Sequence, residues 1–457
     1  MKLFGWHWLA VSSLLAGAFA GHAETRPQYG GTLHVSMRAA PMSLDPADGS
    51  QPDSFAQRSL TLLIFDTLVT DDESGRVQAS LATSWQTSQN NRRWQFHLRT
   101  GVKFHDGSPL TAEAAAASLR GANPSWNVSA DGDSVVIVED SADPDLLAEL
   151  ALARNAIEKK NSDSKPSGTG AFHIVDWQPG KRLTLGAEEN GWRGRPFLDG
   201  IEVEMGKSPR DQLIDLELGK ADLVEVAAEQ SHRVAAGGHP LTSSAPIEML
   251  ALIFARDAAS PEDKLVREAL AFSVERGSIR SVLLQGAGQP AASILPNWMS
   301  GYGFVFPTDA DLTRARHARE QAHTIPKWSL GYDGGDPVAR LLAERIALNA
   351  RDAGLSLQPT TSASADIRLV HIPLAPPDPW ISLANVAALT GMSAPKNTGR
   401  SVEDLCAAEQ AELATQRMIP LFHLPVSYAA TPALKNWALR PDGTWNVADA
   451  WLGSGKP

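Results

Sequence analysis

The sequence has a single cysteine, Cys406, in 457 residues, so no internal disulfide can hold the fold together. Positive charge is also in short supply. Lys and Arg number 41 against 52 Asp and Glu, giving a formal net charge of −11 at pH 7. That balance leaves no cationic excess to neutralise phosphates and argues against a nucleic-acid partner. The short motifs of common enzymes are missing too: there is no G-x-S-x-G, H-E-x-x-H, C-x-x-C or P-loop pattern. Ser, His and Asp occur, but in no local arrangement that specifies a triad. Paired acids such as Asp71-Asp72 and Glu188-Glu189 fall in turn-like sequence and read as solvated surface. The chain therefore reads as a protein that catalyses nothing, with no cofactor.

Long hydrophobic runs are absent with one exception. Leu9 to Ala20 is apolar save for two serines, follows Lys2, and precedes the small-x-small site Gly21-His22-Ala23. It is shorter than the roughly 20 apolar residues that cross a bilayer and has the layout of a cleavable secretory signal over residues 1–23. No cysteine lies near the cleavage site, so the expectation is a soluble, monomeric periplasmic protein and not a lipoprotein. The hydrophobic content of 43% with 20% charged residues is that of a globular chain, and 457 residues are enough for two or three lobes.

The densest local signal is Trp94 to Glu113. Trp94, Phe96 and Leu98 alternate with Gln95, His97 and Arg99, the period of a half-buried strand. Gly101 breaks it, Asp106-Gly107 is a turn dipeptide, and Thr111 before Ala112, Glu113 and an alanine run reads as a helix N-cap. A second block, Gly168 to Gly180, holds Phe172, Ile174 and, after a slip, Trp177 on one face of a strand, with a turn at Gln178-Pro179-Gly180. Other elements follow. Strands are expected at Gly30–Met37, Val135–Val138 and from Leu355, and helices over Asp53–Thr67, Asp143–Ile157, Leu213–Asp222 and Lys264–Leu284. A further helix is capped by Asp336-Pro337 and ends at Gly354. A polar linker covers Lys159 to Ser167.

Together these blocks resemble the family 5 extracellular solute-binding proteins of bacterial ABC importers. The matching stretches are L-A-T-S-W at Leu81 with the Trp94–Glu113 block, S-L-D-P at Ser43, and G-T-G-A-F at Gly168. They continue with N-G-W at Asn190, P-F-L-D-G-I at Pro196, and V-R-E-A-L-A-F-S-V-E-R at Val266. The resemblance implies an α/β fold of the type II periplasmic binding protein kind, with mixed sheets in two main lobes, an extra subdomain, and a ligand cleft between the lobes. Lobe one would combine residues 28–47, 168–245 and 430–457, the subdomain 48–167, and the other main lobe 246–429. It also implies a small, peptide-like solute and the membrane subunits of an ABC permease as partners. A shrunken binding protein acting as a sensor or chaperone, without solute capture, is the alternative; shortened stretches at Gly121–Pro166, at Met299–Pro326 and after Trp380, together with Ala375, motivate it.

Ligand candidates follow from this layout. Ser43 and Asp45 stand after the first strand, where a turn role is the competing reading. Trp298, Tyr302 and Trp380 sit in segments expected to face the cleft, with packing as the competing role. His371 and Asp378 lie within the segment A-D-I-R-L-V-H-I-P-L-A-P-P-D-P-W, residues 365–380. Peptide-binding members carry a tryptophan and an aspartate there, and aligning on Asp378-Pro379 puts Ile372 and Ala375 in their places. In those members the aspartate pairs with the peptide ammonium. Burying that ammonium without a counter-charge costs several kcal/mol, so another acid would have to substitute. His97 and His105 lack a third ligand at zinc-like spacing and read as turn and surface residues. Trp85, Trp94, Trp177 and Trp192 read as core.

Overall fold

A computed structural model of the chain describes residues 26–453 apart from 51–52, 73, 89, 161–165, 304, 375–377, 394 and 396–398. The signal segment 1–23 and Ala375 lie outside the described residues.

One mixed sheet runs through both main lobes. In the first lobe, strand Thr32–Ser36 lies parallel to Gly200–Glu204, pairing Leu33 with Ile201 and Val35 with Val203. Alternation along these strands sends Leu33, Val35, Ile201 and Val203 to one face, where they are buried. Arg182–Ala187 and Phe172–Gln178 extend the sheet as antiparallel neighbours. The pairing of the last two slips between Ile174 and Asp176, which is the slip the aromatic spacing requires, and Phe172, Ile174 and Trp177 all pack on the same core. Helix Phe55–Ile64 covers that core with Ala56, Leu60, Leu63 and Ile64, so it packs on the first lobe while also meeting the turn Ala153–Asn155.

The second main lobe is built on strands Ile367–Pro373, Lys327–Gly331 and Ser356–Thr360. Helix Pro337–Asp352, capped by Asp336, buries Leu342, Ala343 and Ile346 against one face. Gly354 then takes φ +79, a left-handed conformation that terminates the helix at little cost for glycine. On the opposite face, helices Pro379–Thr390 and Val402–Leu413 pack with Ile294, Leu295 and Met299.

Two long strands join the lobes. Leu241–Phe254 and Met418–Ala430 pair antiparallel from Leu241 with Ala429 to Ile253 with Met418. One end of this ribbon pairs with Leu223–Val226 of the first lobe and the other with Ile367–Pro373 of the second. Between the ends its register slips repeatedly, around Pro246 and Glu248.

The subdomain is an antiparallel sheet of four strands, with Arg93–Leu98 between Ala82–Thr87 and Ser134–Val138. Helix Ala112–Ala122 lies on it, and the Thr111 side chain caps that helix by accepting from the amide of Ala114. Trp94 is core, as its spacing implies, while Trp192 is half-buried between the guanidinium groups of Arg99 and Arg193 at 4.7 and 4.4 Å.

Two expected helices are broken. In place of one over Asp143–Ile157 there is Leu146–Leu150 and a single 3-10 turn, Ala153–Asn155. Asn155 spends its side-chain amide on the carbonyl of Glu149 at 2.7 Å, an alternative to helical bonding. The stretch Lys264–Leu284 divides into Pro261–Ser273 and Arg276–Val282. The break lets Arg276 point inward and donate to the carbonyls of Pro420 and Ala271 at 2.9 and 3.2 Å. The helix expected over Leu213–Asp222 begins earlier, at Pro209, because Ser208 caps it.

Candidate functional site

Between the main lobes lies a cavity of about 620 Å³. Its first wall belongs to lobe one: Arg38 to Pro41 just past the opening strand, the start of helix Phe55–Ile64, and Glu225 to Glu229. Asp333, Asp336 and the strand from Arg368 to Pro373 make the opposing wall, and Glu248, Pro425 and Ser427 of the two joining strands form the floor.

Strand ends explain why these residues meet. Arg38, Glu225 and Asp333 lie at or just beyond the carboxyl ends of strands Thr32–Ser36, Leu223–Val226 and Lys327–Gly331, all of which pair parallel to a neighbour. In sheets of this kind, ligand crevices open at that end.

Arg38 spans the cavity. Its backbone N–H donates to Glu225 at 2.6 Å within lobe one. Its guanidinium reaches across to Asp333 at 2.6 Å and Asp336 at 3.1 Å. Asp336 serves twice, since its other oxygen caps helix Pro337–Asp352 by accepting from the amides of Val338 and Ala339. On the same side, His371 Nδ1 stands 3.0 Å from Glu248. Burial opposes protonation of that ring, but the Glu248 carboxylate outweighs it and the histidine is raised above its ordinary value. The ring is accessible because it faces the cavity, and is otherwise surrounded by protein.

Burial acts in the other direction on the acids. It pushes Glu225 up, with the nearby Arg38 only partly compensating, and it pushes Glu229 up as well. Asp333 is held below the ordinary carboxylate range, because the Gly335 amide and Arg38 together outweigh its burial.

Of the residues named from sequence, His371 lines this cavity. The other six are placed elsewhere. Ser43 accepts from the amide of Asp45, whose carboxylate binds the Ala47 amide and Lys160, so both stabilise a turn. Trp298 is 47% exposed, and its indole donates to the carbonyl of Pro246 at 3.0 Å. Tyr302 and Trp380 are buried in the core beneath the cavity's far wall. Asp378 caps helix Pro379–Thr390 through the amides of Trp380 and Ile381. His105 binds the carbonyl of Gly170 at 3.0 Å, and no group of metal-ligating side chains occurs among the described residues.

The charged residues that do meet here are not marked by sequence motifs. Arg38, Glu225, Glu229 and Glu248 belong to none, and Asp336-Pro337 signals a helix cap alone. The usable signal is position, an ionisable residue immediately after an apolar strand.

Comparison with known proteins fits this architecture. Residues 76–370 match the profile of bacterial extracellular solute-binding proteins, family 5 middle region. The chain belongs to this family. Among its relatives, the nickel-binding protein NikA of Staphylococcus aureus is 25% identical over 295 residues, 61% of this chain and 57% of that protein. Heme-binding protein A of Haemophilus influenzae is 23% identical over 420 residues, 77% of this chain and 74% of its own length. The alignment thus spans little more than half of the staphylococcal protein. Solved structures cover more. NikA of S. aureus in complex with Ni(L-His)2 superposes with a TM-score of 0.79 at 19% identity, over 92% of this family 5 chain and 100% of that one. AppA of Bacillus subtilis in complex with a nonapeptide gives 0.79 at 19%, over 94% and 100%. The fold is that of a type II periplasmic binding protein, two mixed α/β lobes with a cleft between them.

Proposed function

We propose that this family 5 chain is the solute-capturing subunit of an ABC importer. It works in the periplasm after removal of residues 1–23, binds a small peptide-like solute between its main lobes, and presents the closed form to the permease. The carrying observation is the 620 Å³ cavity whose opposing walls come from different lobes and are bridged by Arg38. A cavity of that volume is in the ordinary range for small-molecule sites. The two strands at its floor are the connection about which the lobes rotate, a hinge arrangement.

The relatives do not agree on a cargo. By their names or complexes they bind nickel, heme, Ni(L-His)2 and a nonapeptide. The class of solute therefore rests on this chain's own cleft, where the candidate ligand residue His371, with Glu248 beside it, lines the cavity.

Native mass spectrometry of the mature protein, exchanged against casein hydrolysate and then desalted, tests the reading. Retention of a stoichiometric small molecule is the expected result. A protein that stays empty would favour the sensor or chaperone alternative.

A further inference from the structure

A second cavity, of about 270 Å³, lies where the first lobe meets the subdomain and shares no lining residue with the interlobe cleft. Its walls are the C-terminal half of helix Phe55–Ile64, residues 65–70 with Ser80, the loop 193–196, and the closing segment 440–449. Ser59 pins that segment to the helix. Its hydroxyl accepts from the Trp445 amide at 3.0 Å and donates to the carbonyl of Phe55 at 2.8 Å. A tight turn at Pro441-Asp442-Gly443 then sets Arg440 against the cavity. The Arg440 amide donates to the Thr444 carbonyl, the Gly443 amide donates to that of Arg440, and Gly443 takes φ +80.

Three arginines line this space, and one of them is uncommitted. Arg195 donates to Glu189, Asp199 and the carbonyl of Pro196. Arg193 reaches Asp66 at 3.3 Å and the Ser80 hydroxyl at 3.1 Å, and lies over the ring of Trp192. Asp66 is occupied in turn by the Thr169 hydroxyl and the Trp192 indole at 2.8 and 2.9 Å. The guanidinium of Arg440, by contrast, makes no hydrogen bond or ion pair among the described residues. The acids around it do not answer it. Asp442 turns one oxygen on the amide and hydroxyl of Thr444. Asp71 has a buried oxygen without a partner among the described residues, and burial with Asp442 nearby raises it to about 7. Burial, reinforced by Arg193, accordingly displaces Arg440 downward, and Asp442, Asp66 and Asp71 do not offset it. Asp449, the other acid of the lining, is exposed and screened by water.

Two neutral donors in the same lining are also open. The Thr70 hydroxyl and the side-chain amide nitrogen of Asn446 have no hydrogen-bond partner among the described residues. The Asn446 oxygen is already taken by the Ala448 amide at 3.1 Å. Much of the remaining wall is apolar, with Leu62, Leu63, Phe65 and Trp445.

We propose that this cavity is a second ligand site, which takes a small organic carboxylate on Arg440 with its short apolar body against Leu62, Leu63 and Trp445. A guanidinium matches a carboxylate through paired N–H donors, and it cannot shed its charge to relieve burial. One negative charge suits a lining with one uncommitted cation, whereas Asp66 and Asp449 repel a doubly charged phosphate. The site stands apart from the interlobe cleft and does not rest on solute capture there.

Saturation-transfer NMR of the mature protein with butyrate, and with butyramide as its neutral isostere, tests the site. Butyrate is expected to bind with a Kd on the order of 1 mM, and butyramide about tenfold more weakly. Arg440→Gln should weaken butyrate about tenfold, while Arg38→Ala, in the interlobe cleft, should leave butyrate binding unchanged. Thr70→Val should weaken it about threefold, and carries the comparison if Arg440→Gln does not fold. Butyramide binding as tightly as butyrate, or no saturable butyrate binding by ~50 mM, would overturn the site. Butyrate lost in Arg38→Ala and kept in Arg440→Gln would place it in the cleft and overturn the site too. Inorganic phosphate that binds more tightly than butyrate would overturn the carboxylate assignment. Solute retained from casein hydrolysate by Arg440→Gln reports on the cleft alone, so failure of either reading is seen separately.

Discussion

Pro246 and Pro425 stand opposite one another in the ladder between the two strands that join the lobes. Neither has a backbone N–H, so the ribbon lacks donors at its midpoint, where the register also slips on both sides of Pro246. Of the two carbonyl acceptors there, that of Pro246 is taken by the indole of Trp298. A strand pair unbonded at one level can bend there while its ends stay anchored in separate lobes. Replacing both prolines by valine restores two donors. The expected outcome is a smaller change in interlobe distance on solute binding, read by fluorescence energy transfer between labels on the two lobes.

The bridge from Arg38 to Asp333 and Asp336 joins the lobes that the proposed capture mechanism requires to separate. Both Arg38 and Asp333 are well exposed, so the bridge contributes only ~0.2–1 kcal/mol to stability. Arg38→Ala is expected to expand the ligand-free protein in small-angle scattering, and 1 M salt should expand the parent in the same way.

The G-T-G motif is a packing device. A Cβ on Gly168 would stand 1.9 Å from the carbonyl oxygen of Ile64, and one on Gly170 2.4 Å from that of Leu63. The glycines let the strand block approach the end of helix Phe55–Ile64, where the Gly170 amide donates to Ile64 at 3.0 Å. Gly168→Ala should destabilise the protein by about 3 kcal/mol in urea unfolding. Gly121→Ala, in helix Ala112–Ala122 with nothing within 4 Å, should instead stabilise it by about 0.5–1 kcal/mol.

Glu412 titrates out of its usual range. Burial, with Glu409 beside it, pushes it up to about 7, and both carboxylate oxygens lack a hydrogen-bond partner among the described residues. A carboxyl with a raised folded-state value favours the fold when protonated. Its contribution is fully present below about 4.5 and lost as pH rises through 7. Glu412→Gln removes that titration. Between pH 4.5 and pH 8 the variant should gain on the parent by up to about 3 kcal/mol in chemical unfolding.

Local structure was the legible part of this sequence. Thr111, Asp336 and Gly354 bound helices where short-range chemistry places them, and the slip before Trp177 is a real irregularity in the ladder. Those features depend on neighbours within a few residues. The site depends on residues hundreds of positions apart. Arg38 meets Asp336 only because parallel strands of two lobes direct their carboxyl ends into one crevice. Aromatic character misled for the same reason. Tyr302 and Trp380 are large enough to fill the core behind the cleft, and burial there outweighs exposure to a ligand.

Small-angle scattering of the mature protein, with and without the solute it retains from casein hydrolysate, tests the central claim most directly. Capture between hinged lobes predicts a fall in the radius of gyration when that solute is added at saturating concentration. An unchanged scattering curve with the solute bound would contradict closure of the lobes around it.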